Sequence, residues 1–437
     1  MTLVRSSKIL GRKPLPTGFF PMILVLVVIM LMTYSVYEVH LKDREDLHIL
    51  HGLEVEMNLD YWQLGAPGLR PAHVMVSAEN KQKFSNLLDV NGIKHDLYMD
   101  NVADVLNNHD EEMFHWRKTR DGRIFPFQDY PTYTEINAYL ERIAAQYPQT
   151  VTLVNAGKSF EGRDIKYLKI STTNFTDTTK PIYFMNAMIH AREWVTTPVA
   201  LYAIHRLVED VRAQERDVLE STDWIIMPLA NPDGYEYTHT DDRLWRRTRS
   251  YNPSVNETCY GVDGNRNFNV SFNTIGVSSD PCSNIYPGTR PFSEVEMSYI
   301  RDVLHEYVDR IQLYLDIHSQ GNMVLFAYGD HSLPPDAVNL HMVGASMGAA
   351  IDVHKLPQAP FYLVGNSALV LYGTSGSAQD YGQLVGVPFS FTLELPGYGY
   401  GFVVPPQYIE QIVEETWQGI VASARVSAAF YKARINI

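Results

Sequence analysis

From Pro126 onward the chain alternates short apolar runs with stretches of helical period, and no other feature of the sequence restricts its architecture as much. Residues 165–170, 182–185, 224–228, 311–317 and 389–393 read as strands, and residues 133–147 and 198–211 as helices. Strands separated by helices predict an α/β fold: a mixed, largely parallel sheet with helices on both faces. In such a sheet the carboxyl ends of the strands share one rim, where ligands collect. A reactive side chain therefore gains meaning from standing at the end of an apolar run.

Four side chains stand there. His190 and Glu193 follow the run at 182–185, His318 ends the run at 311–317, and Glu394 ends the run at 389–393. Imidazole and carboxylate suit zinc, and a catalytic zinc takes three protein ligands and keeps one position open. Alone, a His-x-x-Glu pair is equally what a solvated turn shows, and a histidine at a strand end is usually a satisfied structural one. Convergence on one rim is what could bring His318 to His190 and Glu193 across the long stretch between them.

Composition narrows the function classes. A net charge of -14 over 437 residues leaves no concentrated basic surface for phosphate, which excludes a nucleic-acid partner, and 45% hydrophobic residues is ordinary for a globular chain. Residues 1–18 carry Arg5, Lys8, Arg12 and Lys13 without an acid, and residues 19–32 are an uninterrupted apolar run. The run falls short of the roughly 20 residues of a bilayer span. Residues 1–35 read as a secretory signal peptide, with Thr33 and Ser35 as the small residues before the cut. A retained signal anchor is the alternative, and only that would bring in a membrane. The expected location is extracellular, where Cys259 and Cys282, the two cysteines of the chain, pair by default.

Residues 36–115 read as a small α+β unit. Period two marks residues 36–41 and 73–76, and Phe84, Leu87 and Leu88 share a helical face. Residues 116–124 then gather Arg117, Lys118, Arg120 and Arg123 without apolar periodicity. They predict an exposed basic linker open to a trypsin-like protease, with a solvated basic loop as the plainer reading.

His190-Ala191-Arg192-Glu193-Trp194, Asn231-Pro232-Asp233-Gly234-Tyr235, Arg243-Leu244-Trp245-Arg246, Asp263-Gly264-Asn265-Arg266-Asn267 and Glu394, in this order, resemble the zinc metallocarboxypeptidases of the pancreatic A/B type. The resemblance covers residues 125–437 as the enzyme, and residues 36–115 look like that family's propeptide. It implies one Zn2+ per chain on His190, Glu193 and His318, with Asp263 accepting from the imidazole of His190. Glu394 would move the proton and Arg246 would face the oxyanion, as the catalytic pair. Asn265 and Arg266 would grip the free carboxylate of a peptide or protein C-terminus. Tyr372, in a loop with Gly373 and Gly376, would close over that C-terminus, and Arg192 would lie farther out along the groove. Gln379 would form the floor of the side-chain pocket, where a neutral amide favours neutral C-terminal residues over Arg or Lys. The family match also places a bridge between Cys259 and Cys282.

The chain departs from the family pattern twice near the site. Gln320 stands where an aromatic residue is usual after His318-Ser319, and Pro396-Gly397 where Arg-Asp usually follows Glu394-Leu395. Neither removes a ligand or the base. A silent C-terminus-binding protein would lack one of these groups, whereas an amidohydrolase acting on acyl-amino acids could use the same set.

Overall fold

The computed structural model describes residues 34–119, 125 and 127–435. The segment read as a signal peptide, up to residue 33, lies outside the described residues, as do Arg120 and Arg123 of the linker.

The N-terminal unit comprises β1 (Tyr34–His40), α1 (Arg44–Met57), β2 (Asp60–Gln63), β3 (Ala72–Ser77), α2 (Lys81–Val90), β4 (Lys94–Met99) and α3 (Val102–Thr119). Its antiparallel sheet runs in the order β2-β3-β1-β4. The period of two sorts the faces: Val39, Val74 and Val76 turn to Phe84 and Leu88 beneath the helices, while Glu38 and His40 point the other way. Asp43 starts α1 by accepting from the backbone N–H groups of Glu45 and Asp46, as an N-cap does.

Two expected boundaries differ. Strand β1 begins at Tyr34, so the anticipated cut after Ser35 would fall inside it; Ser35 is buried and its hydroxyl donates to Asp100 O. Helix α3 runs to Thr119, so residues 116–119 are helical and not an open linker. No glycine or proline interrupts residues 102–119, and Arg117 and Lys118 in the last turn complement the helix dipole. Trp116 Nε1 donates to Gln128 O at 3.1 Å, and Arg117 donates to Tyr130 O at 2.7 Å and pairs with Asp129, also at 2.7 Å.

The larger unit opens with α4 (Tyr133–Gln146), β5 (Val151–Lys158), β6 (Asp164–Ile170), β7 (Ile182–Ala187), α5 (Thr196–Val208), α6 (Arg216–Ser221), β8 (Asp223–Met227) and α7 (Pro232–Thr240). It continues with α8 (Val295–Tyr307), β9 (Ile311–Ser319), β10 (Met323–Phe326), α9 (Ala337–His354), β11 (Leu363–Asn366), α10 (Ser367–Val370), α11 (Ala378–Leu384), β12 (Phe389–Leu395) and α12 (Ile409–Ile435). The eight strands run in the order β11-β10-β12-β9-β7-β8-β6-β5. Its centre, β12-β9-β7-β8, is parallel, whereas the pairs β10-β12, β6-β8 and β5-β6 are antiparallel. The mixed sheet is as expected, with parallel pairing concentrated at the middle.

Both faces are covered. Tyr183, Met185 and Ala187 of β7 pack with α5, α9 and α12, and Ile182 and Phe184 with α8 and α11. Strands buried on two faces must be apolar throughout, which is why β7 and β9 read as unbroken apolar runs. Most of their polar exceptions, Asn186, Asp316, His318 and Ser319, lie toward the carboxyl ends, and Gln312 lies at the amino end of β9. Cys259 and Cys282 are paired, with Cα atoms 5.1 Å apart.

Candidate active site

The chain leaves β7 through a turn in which buried Met188 takes φ +64°. That left-handed region is uncommon for a residue with a Cβ and recurs at functional sites. Asn231 secures the turn: its Nδ2 donates to Ile189 O and Arg247 O, each at 3.1 Å, and its Oδ1 caps α7 by accepting from Gly234 N at 2.9 Å. Asp233 of the same motif accepts from Ser159, Glu161 and Arg163. The Asn231 to Tyr235 motif therefore builds the scaffold and touches no reacting group.

His190 and Glu193 emerge from this turn and meet His318, which lies on β9. His190 Nδ1 is 2.8 Å from Glu193 Oε1, and His318 Nδ1 is 3.0 Å from both Glu193 Oε2 and His190 Nδ1. All three are buried. Three donor atoms this close, two imidazole nitrogens and a carboxylate, fit a zinc ion. Glu394 is the register partner of His318 on the neighbouring parallel strand, and burial pushes its carboxyl up to about 7.

Asp263 ties the site together. Its Oδ1 accepts from His190 Nε2 at 3.0 Å and from Asn265 N at 2.9 Å, and its Oδ2 accepts from Arg246 Nε and Nη2 at 3.2 and 2.9 Å. One carboxylate thus orients an imidazole, a guanidinium and a backbone turn, and it holds Arg246 Nη1 at 3.2 Å from His190 Nδ1. Sequence reading connected Asp263 to His190 and named Arg246, but missed that Asp263 also holds Arg246.

It also missed Asp316. This fully buried acid accepts from His318 Nε2 at 2.7 Å and from Asn186 Nδ2 at 2.7 Å, and Tyr314 OH donates to Asn186 Oδ1 at 2.5 Å. The signal was present, an acid two residues before His318 on the same face of a strand, but within an apolar run it read as an interruption.

Asn265, Arg266, Tyr372, Gln379 and Arg192 line one cavity with His190, Glu193, Arg246 and Glu394. Arg266 spends Nε on Gly276 O and Nη1 on Asn265 O, each at 2.9 Å; its Nη2 makes no hydrogen bond among the described residues. Gly376, at φ +75°, lets the loop after Tyr372 cross the Arg266 backbone, where a Cβ would lie 2.2 Å from Arg266 O. Gln379 is buried, and its Oε1 accepts from Thr392 Oγ1 at 2.9 Å.

The N-terminal unit closes the cavity. Asp60 takes the Arg192 guanidinium in a two-point pair, one contact at 2.8 Å. Gln320 Nε2 donates to Trp62 O at 3.0 Å, Arg70 Nη2 to Asn322 O at 3.2 Å, and the His51 ring lies 4.0 Å from that of Tyr372. About 110 Å³ remains, room for a cluster of waters rather than a peptide. The two departures from the family pattern meet here, since a Cβ on Gly397 would lie 2.4 Å from Gln320 Oε1.

Comparison with known proteins agrees with this geometry. Residues 136–419 match the zinc carboxypeptidase family, and residues 37–109 match the carboxypeptidase activation peptide. The chain is 46% identical to carboxypeptidase B of Helicoverpa zea over 83% of its own length and 86% of that protein. It is 34% identical to carboxypeptidase A2 of Mus musculus, over 88% and 92% respectively. The crystal structure of carboxypeptidase A from Helicoverpa armigera superposes with a TM-score of 0.86 at 42% identity, covering 91% of this chain and 98% of that one. Two matched units in sequence, and a fold shared over nearly the whole length, show that the chain belongs to the zinc carboxypeptidase family as a metallocarboxypeptidase preceded by its activation peptide.

Proposed function

We propose that this metallocarboxypeptidase is secreted as a latent proenzyme, is activated by a trypsin-like protease, and then removes the C-terminal residue of peptides and proteins, favouring neutral residues. The observation that carries the reading is the set of three donor atoms 2.8–3.0 Å apart, with Arg246 3.2 Å from His190 and Glu394 on the adjacent strand. His190, Glu193 and His318 would hold one zinc, which when bound supplies Lewis acidity and makes water nucleophilic at neutral pH. Glu394 takes the proton of the attacking water and passes it to the leaving amine. Arg246, held by Asp263, sets a fixed positive charge where the carbonyl oxygen becomes anionic, stabilising that state more than the ground state. The free Nη2 of Arg266, with Asn265, receives the terminal carboxylate, and Tyr372 covers it. Metal content and C-terminal residue release, measured before and after trypsin, test the reading. Zinc-free or fully active intact protein would overturn it.

Preference follows from Gln379. With its oxygen engaged by Thr392, the amide offers the cavity its NH2, a donor that repels ammonium and guanidinium and leaves a buried cation without a counter-charge. The names of the relatives divide between A and B, so the chemistry of this position supports the choice. Matched substrates ending in Phe, Leu, Gln and Arg should give their lowest kcat/KM for Arg, and Gln379→Asp should move preference toward Arg. Arg as the best substrate of the unaltered enzyme would reject it.

A further inference from the structure

A second group of metal-type donors lies on the activation peptide, away from the catalytic cavity. Glu38 and His40 are two residues apart on β1 and so share a face; Glu38 stands opposite His73 of β3 on one side and Asp96 of β4 on the other. His40 Nε2 is 3.3 Å from both Glu38 Oε1 and Asp96 Oδ2, and His73 Nε2 is 3.1 Å from Glu38 Oε2. His40 Nε2 and one oxygen each of Glu38 and Asp96 therefore converge from two adjacent strands, all within 4.8 Å of one another, while His73 engages the other oxygen of Glu38.

The spacing is informative. Ligands about 2.0–2.1 Å from a tetrahedral zinc lie about 3.3 Å from one another. The two His40 contacts, 3.3 Å each, match that edge as well as the 2.8–3.0 Å contacts among His190, Glu193 and His318 do. Imidazole with carboxylate is a zinc-type donor set, in contrast to the all-oxygen sets of calcium and magnesium. Lys94 Nζ, 3.7 Å from Asp96 Oδ2, is the competing cation, but its side chain is 72% exposed and free to swing away.

We propose that Glu38, His40 and Asp96 form a second zinc site, present in the proenzyme and lost with the activation peptide. An ion there clips β1 and β4 together. The His73 ring stacks on Tyr98 at 4.2 Å, and Tyr98 OH donates to Gly399 O of the catalytic unit. Stiffening this sheet therefore also stiffens the surface that closes the active site. Binding to the folded form alone raises stability by mass action, so the ion should prolong latency after the linker has been cut.

Zinc equilibrium dialysis and calorimetric titration of the intact proenzyme, against the activated enzyme separated from its peptide, test the site. The expected stoichiometries are two ions per chain and one. His40→Gln and Asp96→Asn, both at partly exposed positions, should reduce the proenzyme to one ion and abolish the zinc-dependent rise in Tm. They should leave activity after complete activation unchanged. Lys94→Ala should bind the second ion at least as tightly. In the unaltered proenzyme, added zinc should lengthen the lag between cleavage and activity, and in His40→Gln it should not. One ion in the unaltered proenzyme, or a second ion retained by His40→Gln and Asp96→Asn, would show that these side chains only form ion pairs. A failure of the catalytic site would instead appear as zinc-free activated enzyme.

Discussion

A single carboxylate at residue 263 does more to organise the site than any proposed ligand does. Asp263 fixes the His190 ring, the Arg246 guanidinium and the turn that carries Asn265, so the group that orients one proposed ligand also orients the charge that would meet the oxyanion. Asp316 serves His318 in the same way and is itself held by Asn186. Partners of this kind typically change metal affinity about 10- to 100-fold. Asp316→Asn should accordingly lose zinc faster to a chelator by a factor of that order, while the zinc-saturated enzyme keeps most of its kcat; unchanged zinc loss would remove Asp316 from this role. Glu394 lies outside the donor set, so Glu394→Gln should retain one zinc while kcat falls by about 10²- to 10⁴-fold. Loss of metal in that variant would make Glu394 a ligand instead. The residues named in advance are those whose chemistry is unusual at a strand end. Asp316 and the second bond of Asp263 stayed hidden because which atoms a buried acid faces depends on packing between strands far apart in the sequence.

At the scale of elements, the central strands were legible because burial on both faces makes them continuous apolar runs. The edge strands β5 and β11, and β10 beside β11, were not, being short or half-exposed, and α9 lacks polar alternation around its circumference. Helix α3 shows why the expected linker overlaps a helix at residues 116–119. Clustered Arg and Lys look like a solvated loop, yet between Glu111 and Thr119 they are good helix formers with no breaker among them. A protease needs an extended segment in its cleft, and Arg117 is held by Asp129 and Tyr130. Activating cleavage should therefore occur after Arg120 or Arg123 rather than after Arg117 or Lys118. Mass spectrometry of the first product after limited trypsin decides it, and Arg120→Gln with Arg123→Gln should slow activation more than Arg117→Gln with Lys118→Gln. The reverse order would mean that the end of α3 unwinds readily.

The whole molecule couples closure to stability. The activation peptide fills the cavity and neutralises Arg192 through Asp60, so its release both opens space and frees a cation. Elsewhere the fold carries a cost that depends on pH. Glu296, on α8, is buried with Oε1 accepting from Phe160 N at 3.0 Å and, among the described residues, Oε2 unpartnered, and Glu294 and Asp233 face it. Burial first, then Glu294, raises its pKa from 4.5 to about 7. A carboxyl raised on folding favours the folded state most below about 4.5, and that contribution is lost as pH rises through about 7. The stability of the unaltered protein should thus fall relative to that of Glu296→Gln between pH 5 and 8. Denaturant midpoints at intervals across this range measure it, and a constant gap between the two proteins would contradict it.

Gln320 and Gly397 lie seventy-seven positions apart in the chain. A Cβ at 397 would come within 2.4 Å of the Gln320 amide oxygen, the far end of a flexible side chain, so a larger residue there obliges that amide to move. A designer who restores the usual aromatic and the usual Asp one at a time will not find the two effects adding, because contacting sites do not contribute additively. The outer end of the groove is one surface written in two distant places.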